Sequence, residues 1–310
     1  MNAPHVVVFG SINMDLVART PSLPVPGETL LGYSFATIPG GKGANQAVAV
    51  ARLHIPTVMV GRVGNDGFGQ ALLADLQSAE VNTSDVLVDE TTASGVAMIA
   101  VDDRSENHII VISGANGQIE AIDVNRVIQR LPGAAALLLQ FEIPLPAVLA
   151  AAQAAHQARV RVILDPAPAR SDMPAELYAC VNIMTPNAVE ASKLVAFPVH
   201  DPTTAAQAAT VLHQRGVETV VIKLGATGVF CATPDESFFI PAFAVKAVDT
   251  VAAGDAFNGG MAAALSEGLS IRQAIVWGAA TGALSATKAG AQSSLPDRAT
   301  VETFLKQHDR

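Results

Sequence analysis

Val6-Val7-Val8-Phe9-Gly10-Ser11 runs through four apolar residues and stops at a glycine and a serine. A strand with one face in water alternates apolar and polar side chains. An unbroken apolar run reads instead as a strand covered on both faces, the habit of a parallel sheet between two layers of helices. Similar runs return at Thr57–Val63, Ala135–Gln140, Val160–Asp165, Val181–Thr185 and Thr219–Leu224. Helical patterns separate them at Ala44–Leu53, Phe68–Ala79, Pro146–Gln157, Asn187–Val195 and Thr203–Arg215. Three more helices close the chain, at Ala252–Ser266, Ile271–Thr287 and near Asp297–Gln307. The alternation predicts an α/β fold, a doubly wound and mainly parallel sheet flanked by helices.

Two stretches do not fit that sheet. Residues 13–36 are polar, with Pro21, Pro24 and Pro26, and alternate weakly. Residues 91–113 hold two strand-like runs, Ser94–Val101 and Asn107–Ser113, joined by a polar turn at Asp102-Asp103-Arg104-Ser105. No long helix separates the two runs, so they should pair antiparallel. The expectation is a small β-sheet lid built from 13–36 and 91–113, inserted in a core of 1–12, 37–90 and 114–310.

The 310 residues carry 19 Lys and Arg against 28 Asp and Glu, a net charge of −9 with no basic cluster, which argues against nucleic acid or a membrane surface as partner. No apolar run reaches the ~18 residues of a spanning helix, and the start lacks the basic, then apolar, pattern of a signal peptide. Cys180 and Cys231 lie far apart in apolar surroundings and read as buried thiols. A soluble cytoplasmic protein is expected.

Four local motifs point to chemistry. Gly40-Gly41-Lys42-Gly43-Ala44-Asn45 ends a loop and opens a helix. Its glycines allow a close backbone approach to a ligand, and its spacing is not that of a nucleotide-binding P-loop. Ala252-Ala253-Gly254-Asp255 opens another helix, whose free N–H groups form an anion site with a carboxylate beside it. That pairing suits phosphoryl transfer: the amides stabilise charge while the carboxylate takes the proton of an attacking hydroxyl. Asn13 and Asp15, two apart in an extended segment, share a face and suit the vicinal hydroxyls of a sugar. Asn187-Ala188-Val189-Glu190 follows a strand; Asn187 can cap the next helix and Glu190 can hold Mg²⁺ through water. Each has a plainer reading as a loop, turn or helix cap. Gly64-Asn65-Asp66-Gly67-Phe68-Gly69 lacks the G-x-G start of a dinucleotide fingerprint and reads as a turn before a helix.

Taken together, Gly10 to Asp15, the Gly-Gly-Lys-Gly-Ala-Asn-Gln stretch at 40–46, Asn187 to Glu190 and Asp249-Thr250-Val251-Ala252-Ala253-Gly254-Asp255 resemble the ribokinase (PfkB-type) family of carbohydrate kinases, over the whole chain. The resemblance implies ATP-dependent phosphorylation of D-ribose at its 5-hydroxyl, or of another sugar or a nucleoside; a sugar-binding protein without activity is the reading from another class. It implies Asp255 as catalytic base, with the anion hole at Ala252, Ala253 and Gly254. The sugar would be bound by Asn13, Asp15, Gly41, Lys42, Gly43, Asn45 and Glu142, and ATP by Asn187, Lys223, Gly225, Ala226, Gly228 and Gly254. Glu190 would position Mg²⁺. An activating K⁺ would sit among Asp249, Val251, Ser285, Lys288, Gly290 and Ser294. A homodimer clasped through the lid is also implied. Two positions depart from the family pattern: Lys223 is a cation where relatives can carry a neutral polar residue, and Ala279 offers no polar group toward a nucleotide.

Overall fold

The computed structural model describes residues 4–104 and 106–308. Ser105 of the expected turn and the outermost positions of the expected core, 1–3 and 309–310, lie outside the described residues. In chain order the strands are β1 His5–Phe9, β2 Asn13–Arg19, β3 Ser34–Gly40, β4 Thr57–Gly64, β5 Asn82–Asp89, β6 Gly95–Val101, β7 Asn107–Ile112, β8 Ala134–Leu139, β9 Arg161–Leu164, β10 Ile183–Met184, β11 Thr219–Lys223, β12 Gly228–Ala232 and β13 Ser237–Pro241. The helices are α1 Lys42–Ala51, α2 Gly67–Ser78, α3 Ala121–Arg130, α4 Leu145–Gln157, α5 Ala175–Cys180, α6 Ala188–Val195, α7 Pro202–Gln214, α8 Ala253–Ser266, α9 Ile271–Ala286 and α10 Arg298–Gln307.

Nine strands form one sheet in the order β13-β12-β11-β10-β9-β8-β1-β4-β5. From β11 to β5 all neighbours run parallel; β12 and β13 are added antiparallel at one edge. The all-apolar β1 behaves as its sequence demands. Val6 and Val8 belong to the core layer under α1 and α8 on one face, while Val7 and Phe9 belong to the layer under α3 and α4 on the other. Among the described residues no helix is long and apolar enough to cross a membrane. Both cysteines are free and buried, and burial pushes the Cys231 thiol up to about 12.

The second sheet has four strands in the order β3-β2-β6-β7, with β2 and β6 parallel and both outer pairs antiparallel. It leaves the core just past β1 and returns directly into α1. β3 runs on to Gly40, across the expected boundary between 36 and 37. The strand expected over Val181–Thr185 narrows to Ile183–Met184. Beyond the expected elements there are β5, the β12–β13 hairpin and the helices α3 and α5.

Candidate active site

The large sheet reverses its winding at β1, which pairs with β4 on one side and β8 on the other. Open α/β sheets bind ligands beyond the carboxyl ends of the strands at such a reversal. The expected residues gather there: Asn13 and Asp15 past β1, Glu142 past β8, Asn187 past β10 and Lys223 at the end of β11. A cavity of about 840 Å³ at the opposite end, lined by Arg161, Asn182 and Thr219, holds none of them.

Close backbone packing builds the corner. Gly41 has φ +88° and lies so near β2 that a Cβ there would sit 2.7 Å from the Asn13 nitrogen. At Gly43 a Cβ would meet the Gly10 and Ser11 backbone at 2.7 Å, so α1 can start only this close to β1 with glycine. The Ser11 hydroxyl donates to Glu142 Oε2 (2.5 Å), and the Lys42 backbone N–H donates to the same oxygen (3.1 Å). Asn116, absent from the sequence reading, donates to Asn13 Oδ1 (2.8 Å) and brackets Ile12 through both of its backbone groups. Asn13 is thereby held with its amide nitrogen uncommitted.

The first turns of α1 and α8 meet. A Cβ on Gly259 would lie 2.3 Å from the Ala49 Cβ, so only glycine lets these helices approach so closely. In consequence Asn45 Nδ2 donates to Asp255 Oδ2 (3.0 Å) and Gln46 Nε2 to Asp255 Oδ1 (3.1 Å). Asp255 thus adjoins the 40–45 loop, the juxtaposition that the phosphoryl-transfer reading requires. α8 starts at Ala252 without a side-chain cap. The Ala253 N–H bonds to the Thr250 carbonyl, but the N–H groups of Gly254 and Asp255 have no partner among the described residues. They form an open anion site reinforced by the helix dipole.

Electrostatics follow from crowding. Burial, and then the charges of Glu142 and Asp255, push the Asp15 carboxyl up to about 7. Asp255 is only 4% exposed. Its burial raises the pKa to about 6, with Asp165 pushing the same way and Lys42, Asn45 and Gln46 opposing. At Lys42 burial works against the ammonium. Asp255, Asp165, Glu142 and Glu190 outweigh it and hold the amine protonated above the usual lysine range.

Among the residues expected to hold nucleotide, Lys223 bridges to Asn187 as a strand extension and its Nζ donates to Asp165 Oδ1 (3.1 Å). A Cβ on Gly254 would lie 3.5 Å from that Nζ, which puts the cation beside the open amides. Gly225 and Ala226 form a short turn after β11, and Gly228, at φ +139°, starts β12. Asn187 and Glu190 form a reciprocal capping box on α6. That box uses one Glu190 oxygen; burial, with Asp165 nearby, raises this carboxyl above its ordinary value. The second oxygen has no partner among the described residues, which fits a Mg²⁺ held mostly by water and phosphate.

For the expected K⁺ site, Asp249 accepts from the N–H groups of Val251 (3.1 Å) and Gly290 (2.9 Å), tying the start of α8 to the C-terminal loop. The carbonyls of Val251, Lys288 and Gly290 have no donor among the described residues. A carboxylate and unpaired carbonyls fit a hard cation. Ser285 and Ser294 are turned to each other instead (2.7 Å), with Ser294 donating on to the Ala291 carbonyl.

The fold and this corner together define a kinase of small hydroxylated molecules, and comparison with known proteins makes the class specific. Residues 3–298 match the model of the pfkB family carbohydrate kinases, and the chain belongs to that family. It is 42% identical over 303 residues to a ribokinase of Haemophilus influenzae, covering 97% of this chain and 98% of that protein. It is 34% identical over 305 residues to a deoxyribokinase of Salmonella typhi, covering 98% and 99%. Among solved structures, the ribokinase of Arabidopsis thaliana complexed with ribose and ATP superposes with a TM-score of 0.91 at 34% identity, covering 98% of this chain and 99% of that one.

Proposed function

We propose that the protein transfers the γ-phosphoryl group of ATP to the 5-hydroxyl of D-ribose. The observation that carries this reading is the buried Asp255 carboxylate beside the unpaired N–H groups of Gly254 and Asp255, in contact with Asn45. Asp255 takes the proton of the attacking hydroxyl. The amides and the α8 dipole stabilise the charge that grows on the phosphoryl oxygens. Asn13, Asp15, Gly41, Lys42, Gly43, Asn45 and Glu142 hold the sugar. Asn187, Lys223, Gly225, Ala226 and Gly228 hold the nucleotide. Mg²⁺, which neutralises phosphate charge when bound, would be positioned by Glu190 through water. K⁺ would be held by Asp249 with the carbonyls of Val251, Lys288 and Gly290, and Ser285 and Ser294 stand behind them. The small sheet acts as a lid that excludes water.

A homodimer through this sheet is supported by its uncovered apolar surface: Leu31, Tyr33, Phe35 and every residue of Ile109–Ile112 are exposed. A cytoplasmic location is supported by two unpaired cysteines. The test is ADP release over a panel of ribose, deoxyribose, fructose and nucleosides with Mg²⁺, with and without K⁺. Ribose should give the highest kcat/KM. Deoxyribose ahead of ribose would assign the activity that the Salmonella relative's name carries; binding without ADP formation would make the protein a sugar-binding module.

A further inference from the structure

One buried side chain joins the groups described above without a part in the chemistry just proposed. Gln46, in the first turn of α1, is 1% exposed. Its Nε2 donates to Asp165 Oδ2 (3.2 Å) as well as to Asp255 Oδ1 (3.1 Å), and its Oε1 accepts from Gln140 Nε2 (2.8 Å). Ionised carboxylates only accept, so this company fixes the amide orientation: turned over, its oxygen would face two carboxylates. Asp165, 2% exposed, accepts from Lys223 Nζ on its other oxygen (3.1 Å). A continuous chain Gln140–Gln46–Asp165–Lys223 therefore crosses the ends of β8, β9 and β11, with one branch to Asp255.

Holding this pair of charges out of water is costly, and a buried ion pair is a poor device for stability alone. Its placement has a use. Asp165 takes one of the three ammonium donors of Lys223, leaving two beside the open amides of Gly254 and Asp255. We propose that Gln46 and Asp165 are positioning residues for phosphoryl transfer, Gln46 fixing the orientation of the Asp255 carboxylate and Asp165 fixing the Lys223 ammonium at the start of α8. Base and phosphate-facing cation are then set relative to each other before nucleotide arrives, as electrostatic preorganisation requires. This rests on the kinase reading of the same site.

The test is steady-state kinetics of Asp165→Asn, Lys223→Met, their double variant and Gln46→Leu, with thermal melts as a fold control. Asp165→Asn and Lys223→Met should each raise KM for ATP about tenfold and leave KM for ribose unchanged, and the double variant should be no worse than the poorer single. Gln46→Leu should lower kcat roughly 10–100-fold with both KM values nearly unchanged. The acid limb of the kcat profile should move to lower pH in Asp165→Asn, because a like charge leaves a base that otherwise faces Lys42 on α1 and Asp15 on β2. A purely structural role would move neither the pH limb nor one KM selectively. Multiplying losses in the double variant, an unchanged KM for ATP in Asp165→Asn, or wild-type kcat in Gln46→Leu would each overturn the proposal. Asp165→Asn keeps the volume and one acceptor oxygen while its NH2 replaces the other acceptor, so it removes the charge with little change of shape and decides the matter even if Gln46→Leu unfolds. Failure here leaves wild-type turnover and its dependence on Asp255 intact; failure of the kinase reading removes those instead.

Discussion

Helices α8 and α9 are neighbours that begin in opposite ways. α9 starts at Ser270, whose extended backbone (φ −62°, ψ 156°) lets its side chain accept from the Gln273 N–H while Gln273 reaches back in a capping box. α8 starts at Ala252, with φ −103° and ψ 11° and no cap. α1 also starts uncapped, at Gly41 with φ 88°. Asp66, Asn187, Asp201 and Asp297 cap α2, α6, α7 and α10. α4 and α5 also start without a side-chain cap, after Pro144 and Pro174, but α1 and α8 are the uncapped helices that bring Asn45, Gln46 and Asp255 together. At α9 a local side chain satisfies the helix end; at α1 the first amides are taken by Ser11 and Glu142 from across the fold; at α8 the Gly254 and Asp255 amides are left for a ligand.

The sharpest way to break that contrast is Asp255→Asn. It keeps the geometry of the α8 start and removes the base, so kcat should fall about 10³-fold while ribose affinity hardly changes. Near-wild-type turnover would leave the open amides without a chemical role. Next comes Gly259→Leu, which forces α8 away from Ala49. Overpacking should cost about 1–3 kcal/mol in denaturant unfolding and take most activity with it, because Asp255 loses Asn45 and Gln46.

The pH dependence of stability sets the carboxylates of the site corner, Asp15 on β2 and Asp255 on α8, apart from the capped helix ends. Asp15 and Asp255 have folded pKa values of about 7 and about 6, above the ordinary 3.8. Between those limits the folded state holds more protons than the unfolded one, so stability is fully present below 3.8 and declines as pH rises through about 6–7. Asp15→Asn should therefore raise Tm at pH 8 and leave it nearly unchanged at pH 4, and an equal shift at both would rule out this origin. The smallest effects are at the caps. Ser270→Ala should cost about 1 kcal/mol with activity intact, whereas Ala252→Ser should gain nothing, since its backbone is not in the extended capping conformation.

Much of the site was legible because its signals are local. Glycines at 41 and 43, the carboxylate in the first turn after Ala252, and Asn187 with Glu190 one turn on each stand out within a few residues. The same holds for β1, whose four apolar residues need cover on both faces. β5 escaped because Asn82–Asp89 mixes exposed and buried positions at the sheet edge. The β12–β13 hairpin escaped because strand-helix alternation led the reading past a turn at Thr233 to Glu236, although its Pro234-Asp235 pair is a turn signal. Gln46 was visible only as a letter of the 40–46 motif, and Asp165 only as the end of the run Val160–Asp165. Asp165 offered one usable hint, a carboxylate directly after the apolar Val162-Ile163-Leu164 at the end where such sheets bind ligands. Ser11 stood only as a letter of the Gly10–Asp15 motif, and Asn116 offered no hint.

The sequence by itself settled six of the nine strands of the covered sheet, and which helix starts carry glycine or an acid, because those are matters of neighbouring residues and a single period. Only the tertiary structure decided that Gln46 touches both Asp165 and Asp255, and that Lys223 stands beside Gly254. Those contacts join residues more than a hundred positions apart in several cases, and they depend on how closely α8 can lie against α1. That closeness comes from one glycine facing one alanine, and no local pattern in the chain announces it.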